Sequence, residues 1–168
     1  MKISLMIVTL LSVCLATTPA SPTPMKQDPG GFQGLAWGSP LQERPGLTRV
    51  GSSTLTIEYE PAEPPRFGNT KLDSVRYVAI EGQFARVSVG YHGQENHDAM
   101  LAHLQSQYGE FDRSPGQMMR GLNQQYYWRG TESQVSVTYN GRSQRGHVFI
   151  ESLNLAPRFN EGINESGE

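Results

Sequence analysis

Cysteine is almost missing from this chain: its 168 residues hold one, Cys14. Neither sign of charge dominates, since 14 basic residues face 16 acidic ones for a formal charge of −2. That balance argues against a dedicated nucleic-acid binder, which needs a basic face to displace counterions from phosphates. Long apolar runs are scarce too. The longest, residues 3–16, is about 14 residues, short of the roughly 20 that cross a bilayer as a helix, so a permanent helical anchor is not expected. The familiar catalytic signatures are also lacking: there is no G-x-S-x-G elbow, no P-loop and no G-x-G-x-x-G. What is present is an ordinary globular composition, 36% hydrophobic and 18% charged, fit for one domain. Eighteen glycines and 11 prolines make it loop-rich.

The first twenty residues read as an export signal. Lys2 supplies a positive start, residues 3–16 an apolar run, and Ala16-Thr17-Thr18-Pro19-Ala20 the small residues that precede cleavage. Leu11-Ser12-Val13-Cys14 resembles the lipobox of bacterial lipoproteins, with Val13 where that motif has a small residue. Two readings of Cys14 follow: it is discarded with the signal, or it is lipidated and anchors the protein. Beyond residue 20 the chain has no cysteine, which favours a bacterial periplasmic or extracellular setting over a disulfide-stapled secreted domain. About 148 residues suffice to bury a core without staples.

Residues 21–31, SPTPMKQDPGG, have the composition of a flexible tether, and 156–168 that of a disordered polar tail. The domain is expected over 32–155. Ser39 and Pro40 suit the start of a short helix ended by Pro45-Gly46. TLTIEYE at 54–60 alternates as a half-buried strand. Residues 72–91 read as a hairpin turning at Glu81-Gly82. Met100, Leu101, Leu104 and Tyr108 recur at helical spacing, predicting a helix over 97–108 with Asn96 as N-cap and Gly109 as terminator. Three further strands are expected at 124–128, 134–139 and 146–155, with a hairpin at Asn140-Gly141. The resulting fold is α+β and two-layered. A curved antiparallel sheet of about six strands packs on one main helix, in the order β-β-β-α-β-β-β.

The stretch Phe32-x-Gly34-x-x-Trp37-Gly38-Ser39-Pro40-Leu41 resembles the opening of a group of small, uncharacterised bacterial envelope proteins. In these an F-x-G-x-x-W-G segment follows a signal peptide and precedes a β-rich domain. The likeness extends over most of 32–155, through the hairpin, the Tyr108-Gly109 helix end and the Tyr126-Tyr127-Trp128 strand. It implies a fold and a compartment, and no activity.

Two constellations are candidates for function. Tyr126, Tyr127, Trp128 and Arg129 form an aromatic–cation segment suited to stacking on a sugar or anchoring a protein. On a strand, Tyr126 and Trp128 share one face and Tyr127 takes the other. The second is His92-Gly93-Gln94-Glu95-Asn96-His97-Asp98, the densest group of ligating side chains. It has no recognised metal spacing, and its bland reading is a hairpin-to-helix loop. Glu58 and Glu60, at i and i+2, read as a solvated strand face. The expectation is a non-catalytic envelope module that binds a protein or a glycan, with no cofactor and no metal. The alternative is a metal-assisted or acid–base hydrolase built on His92, Glu95 and His97.

Overall fold

Alternating apolar and polar residues build most of the molecule. The computed structural model describes residues 24–42, 44–113 and 122–159. The export segment with Cys14, residues 21–23 of the expected tether and residues 160–168 of the expected tail lie outside the described residues. Among the described residues, ten strands and one long helix follow in the order β1 (Gly31–Phe32), β2 (Leu35–Ala36), β3 (Leu47–Ser52), β4 (Thr56–Pro61), β5 (Leu72–Ile80), β6 (Gln83–His92), α1 (Gln94–Tyr108), β7 (Asp112–Arg113), β8 (Asn123–Arg129), β9 (Ser133–Asn140) and β10 (Arg145–Ser152). β1 and β2 form a small hairpin. The rest make one antiparallel sheet in the spatial order β3-β4-β5-β6-β10-β9-β8-β7, seven strands of six to ten residues with the two-residue β7 at one edge. Among the described residues, no helix is long and apolar enough to cross a membrane.

The α+β class stands, but the strand count and order differ from expectation. β3 has no counterpart in the expected order. It is an edge strand whose residues are mostly exposed, so it carries little alternation to read. The short helix after Ser39 does not form. The Gly38 N–H donates to the Phe84 carbonyl and the Phe84 N–H to the Ser39 carbonyl, so this backbone is committed to β6 instead. The hairpin at 81–82 is as expected: Glu81 and Gly82 both have positive φ (48° and 82°), the geometry of the two-residue turn that matches strand twist. At the other hairpin, Asn140 Oδ1 accepts from the Arg142 and Ser143 N–H groups, so a four-residue loop replaces a tight Asn-Gly turn.

The helix starts three residues before the expected His97, with Gly93 rather than Asn96 at the N-cap. Asn96 instead ties neighbouring loops, accepting from the Lys71 N–H and donating to the His92 carbonyl. Gly109 ends the helix as expected. The helix packs on the sheet face carrying Val87, Val89, Tyr91, Trp128, Val135, Val137, Tyr139, Val148 and Ile150, all buried. The β1–β2 hairpin covers the same face farther along. Phe32 stacks on Phe67 and meets Tyr77 edge-on, and Trp37 meets the Phe84 ring at 4.8 Å.

The second half of the expected tether is not loose. The Met25 N–H donates to the Arg129 carbonyl and the Lys26 N–H to the Tyr108 carbonyl. Asp28 is the centre of this attachment. Its carboxylate accepts from the N–H groups of Gly30, Glu132 and Ser133 and from the Thr131 hydroxyl. Burial alone would raise its pKa. The donors from Glu132, the Ser133 side chain, Gly30 and Ser133 outweigh that and hold it down at about 2. The Ser133 hydroxyl in turn accepts from Trp37 Nε1 at 2.9 Å. Nor do residues 156–159 hang free: Arg158 pairs with Glu81 at 2.6 Å, and the Phe159 ring lies 3.9 Å from the Arg86 guanidinium.

Replacing Asp28 by Ala should lower stability by about 2 kcal/mol, the scale of lost hydrogen bonds to a charged group, seen as a lower urea midpoint. Because the folded pKa of Asp28 lies below its unfolded value, its stabilisation is complete above about pH 4. It is lost as pH falls toward 2. The Asp28→Ala variant should therefore show a weaker acid-induced loss of stability than the wild type over that window.

Candidate functional site

Strand parity divides the aromatic segment of β8. Tyr126 and Trp128 turn into the core, 8% and 1% exposed, while Tyr127 and Arg129 lie on the opposite face. Trp128 is fixed there by its Nε1, which donates to the Gly109 carbonyl at 2.8 Å and so joins β8 to the end of α1. Phe111 packs edge-on against both core rings. The four residues that the sequence suggests as one binding surface are therefore two pairs on two sides of a sheet.

The hydrolase constellation is not brought together. His92 sits exposed on β6, with Nδ1 2.9 Å from Asp73. Glu95 is exposed in the first turn of α1. His97 is fully buried. Its Nδ1 lies 2.7 Å from the Tyr91 hydroxyl, and its Nε2 3.2 Å from Gln124 Oε1. The Tyr126 hydroxyl donates to the same Gln124 oxygen at 2.6 Å. An amide oxygen facing these two groups requires the His97 proton on Nε2, so Nδ1 accepts from Tyr91. Both ring nitrogens are thus satisfied within the fold. The ring also stacks on Tyr139, with centroids 4.0 Å apart. No group of three or more His, Cys, Asp or Glu side chains close enough to share a metal occurs among the described residues. Glu58 and Glu60 both face Arg76, at 4.0 and 2.7 Å, as a surface ion cluster.

His97, a candidate ligand by sequence, is a core residue. With Met100, Leu104 and Tyr108 it completes the buried stripe of α1, and the 97-100-104-108 spacing is the signal that marks it as core. Tyr91 depends on a second adaptation. Gly146 pairs with it across β6 and β10, and the Tyr91 ring lies where a side chain at 146 would begin.

The face turned away from α1 has a different character. Register places Arg76, Ser88, Phe149, Ser136 and Tyr127 in one row across five strands, with Ser74, Gly90, His147, Thr138 and Gln125 in the next. Arg86 and Glu151 form a two-point ion pair at 2.7 Å beside this row. The Arg86 guanidinium is also 5.4 Å from the Phe149 ring. Residues 153–159 cover the Arg86 end through Phe159. Among the described residues no second layer covers the remainder. Tyr127 and Phe149 are separated by Ser136, two strand spacings or about 9–10 Å. They stand half-buried, and Phe149 is flanked by His147 as well as by the Arg86 guanidinium. Phe149 and Ser136 extend the surface that Tyr127 and Arg129 begin. The alternation of β10, which sets Phe149 opposite Val148 and Ile150, marks that side in the sequence.

Burial holds the His97 imidazolium below its ordinary pKa, only partly offset by the Gln124 hydrogen bond and the Asp98 charge. The fold therefore prefers neutral His97, and its contribution is complete above about pH 6.5. It is lost as pH falls below that value, because the unfolded chain takes up the proton first. His103, also lowered by burial, adds in the same direction. The urea midpoint should fall from pH 7 to pH 5, and fall less in His97→Phe. At pH 7 that variant should lose about 1–3 kcal/mol, because the Tyr91 hydroxyl and Gln124 lose their bonds to the ring. Gly146→Ala should destabilise by about 1–3 kcal/mol through displacement of the Tyr91 ring, read by the same unfolding curves.

No protein-family model, no curated protein and no solved structure matches this chain.

Proposed function

We propose that this protein is an exported, non-catalytic binding module that takes a glycan on the sheet face opposite α1. The observation that carries the reading is the row Phe149-Ser136-Tyr127. It sets two half-buried rings on either side of a small residue, bordered by Ser88, Thr138 and Gln125. A sugar ring offers an apolar C–H face for stacking and a rim of hydroxyls for planar amides and small hydroxyls. A flat sheet supplies both at regular spacing, and Arg129 adds a cation at one end. The commitment of both His97 nitrogens to the core, and the separation of His92 from Glu95 and His97, favour binding over turnover. The signal-like residues 1–20 and the resemblance of the 32–41 segment to bacterial envelope proteins support export. A protein ligand lacks this argument, since the surface around Tyr127 and Phe149 is polar rather than a continuous apolar patch.

The test is binding of the purified full chain to a glycan array and to sedimented bacterial peptidoglycan, compared with Tyr127→Ala and Phe149→Ala. Saccharide binding reduced about tenfold or more in either variant is expected, at the scale of one stacked aromatic, with the thermal midpoint of Tyr127→Ala unchanged. Absence of saccharide binding, or binding indifferent to both substitutions, overturns the reading. A protein captured through Tyr127 in place of any saccharide would replace the glycan by a protein ligand.

A further inference from the structure

A recess lies on the covered side of the sheet. It is a cleft of about 710 Å³ between the β1–β2 hairpin and the C-terminal half of α1. One wall is the hairpin with the segment leading into it. The other is His103, Ser106, Gln107 and Tyr108 of α1, and Phe67 with Arg66 closes one end. That volume is in the range of sites that take small organic ligands.

The charge of the lining is one-sided. Lys26 and Arg66 are its charged residues, and no carboxylate belongs to it among the described residues. Neither cation forms an ion pair among the described residues, whereas Arg76, Arg86 and Arg158 all do. This holds in a chain whose net charge is negative. Two carboxylates stand close by without lining the cleft. That of Asp28 is tied into the 130–133 turn and to Gly30 by four donors. That of Glu132 approaches Gly30. Between the cations the wall is mixed. Phe32, Leu35, Phe67 and Tyr108 supply apolar surface, and the Gln33 and Gln107 amides supply donors. His103 meets the Phe67 ring edge-on at 5.8 Å.

We propose that this cleft binds an amphipathic organic anion, its acidic head drawn by Lys26 and Arg66 and a compact aryl or short acyl body against Phe32, Phe67 and Tyr108. Two unpaired cations facing one recess favour an anion by direct attraction. A half-apolar wall rewards a ligand that carries hydrocarbon with its charge, so inorganic phosphate alone would leave that surface unused. The site is separate from the Tyr127–Phe149 surface, on the other side of the sheet, and does not depend on it.

Two probes of nearly the same aryl body test this on the full chain: 8-anilinonaphthalene-1-sulfonate, which carries the anion, and N-phenyl-1-naphthylamine, which does not. Fluorescence titration should give saturable binding of the sulfonate at least about tenfold tighter than of the neutral amine, the worth of one charge-assisted contact. Lys26→Ala and Arg66→Ala should each weaken the sulfonate about tenfold and leave the amine unchanged. Both side chains are exposed, so the thermal midpoint should hold. Arg142→Ala, in the exposed β9–β10 loop beside the N-terminal end of α1, should change neither probe. Equal affinity for the two probes overturns the proposal, as does sulfonate binding that survives the Lys26→Ala, Arg66→Ala double variant.

Discussion

One carboxylate ties the segment before β1 to the far end of the sheet. Asp28 gathers donors from Gly30 and from the turn joining β8 to β9, about a hundred positions later in the chain. Its indirect contact, through Ser133 to Trp37, carries the hold across the β1–β2 hairpin. It adds to the backbone bonds of Met25, Lys26 and Gly38 and to the Phe32–Phe67 and Trp37–Phe84 ring contacts, which together seat the hairpin over the strands beneath it. The cleft against α1 draws on the same contacts, because Asp28 and the Lys26 N–H help to hold its hairpin wall.

The sheet is finished differently on its two sides. On one, α1 and the hairpin bury large rings against one another, and Tyr91, His97, Gln124 and Tyr126 enter as one hydrogen-bonded set, while the buried Tyr139 hydroxyl beside them has no partner among the described residues. A buried donor without an acceptor is costly, so this set behaves as a unit. On the other side, short hydroxyl and amide side chains, His147 and Arg86 border two rings, and the strongest fixed interaction is the Arg86–Glu151 pair under Phe159. The two sides thus differ in kind: one carries a recess lined by Lys26 and Arg66, the other an open strand surface with Tyr127 and Phe149.

Much of the sheet is legible in the sequence because its rules are local. β5, β6, β8, β9 and β10 alternate, and Glu81-Gly82 announces its turn. The same alternation, read from the residues alone, separates Tyr127 from Tyr126 and Trp128. What stays hidden depends on distant contacts. Residues 24–31 have the composition of a linker, and nothing local shows that Asp28 meets the 130–133 turn. Ser39-Pro40 has the form of a helix start, yet the backbone of Phe84 claims it. β3 exposes most of its length, so it carries no burial pattern to detect. His97 suggests chemistry because imidazole so often ligates or shuttles protons, although its place in the buried stripe of α1 marks it as packing.

The last described strand in sequence occupies the middle of the sheet. β10 joins β6 on one side to β9 on the other, and among the described residues no other strand connects the two halves. During synthesis, every strand up to β9 can emerge and pair with its neighbours in local hairpins, while the edges of β6 and β9 stay open. Only when residues 145–152 arrive do the two blocks become one. A nascent chain of this topology remains divisible until its final strand is delivered, and a truncation within β10 would leave two sticky ribbons in place of a domain.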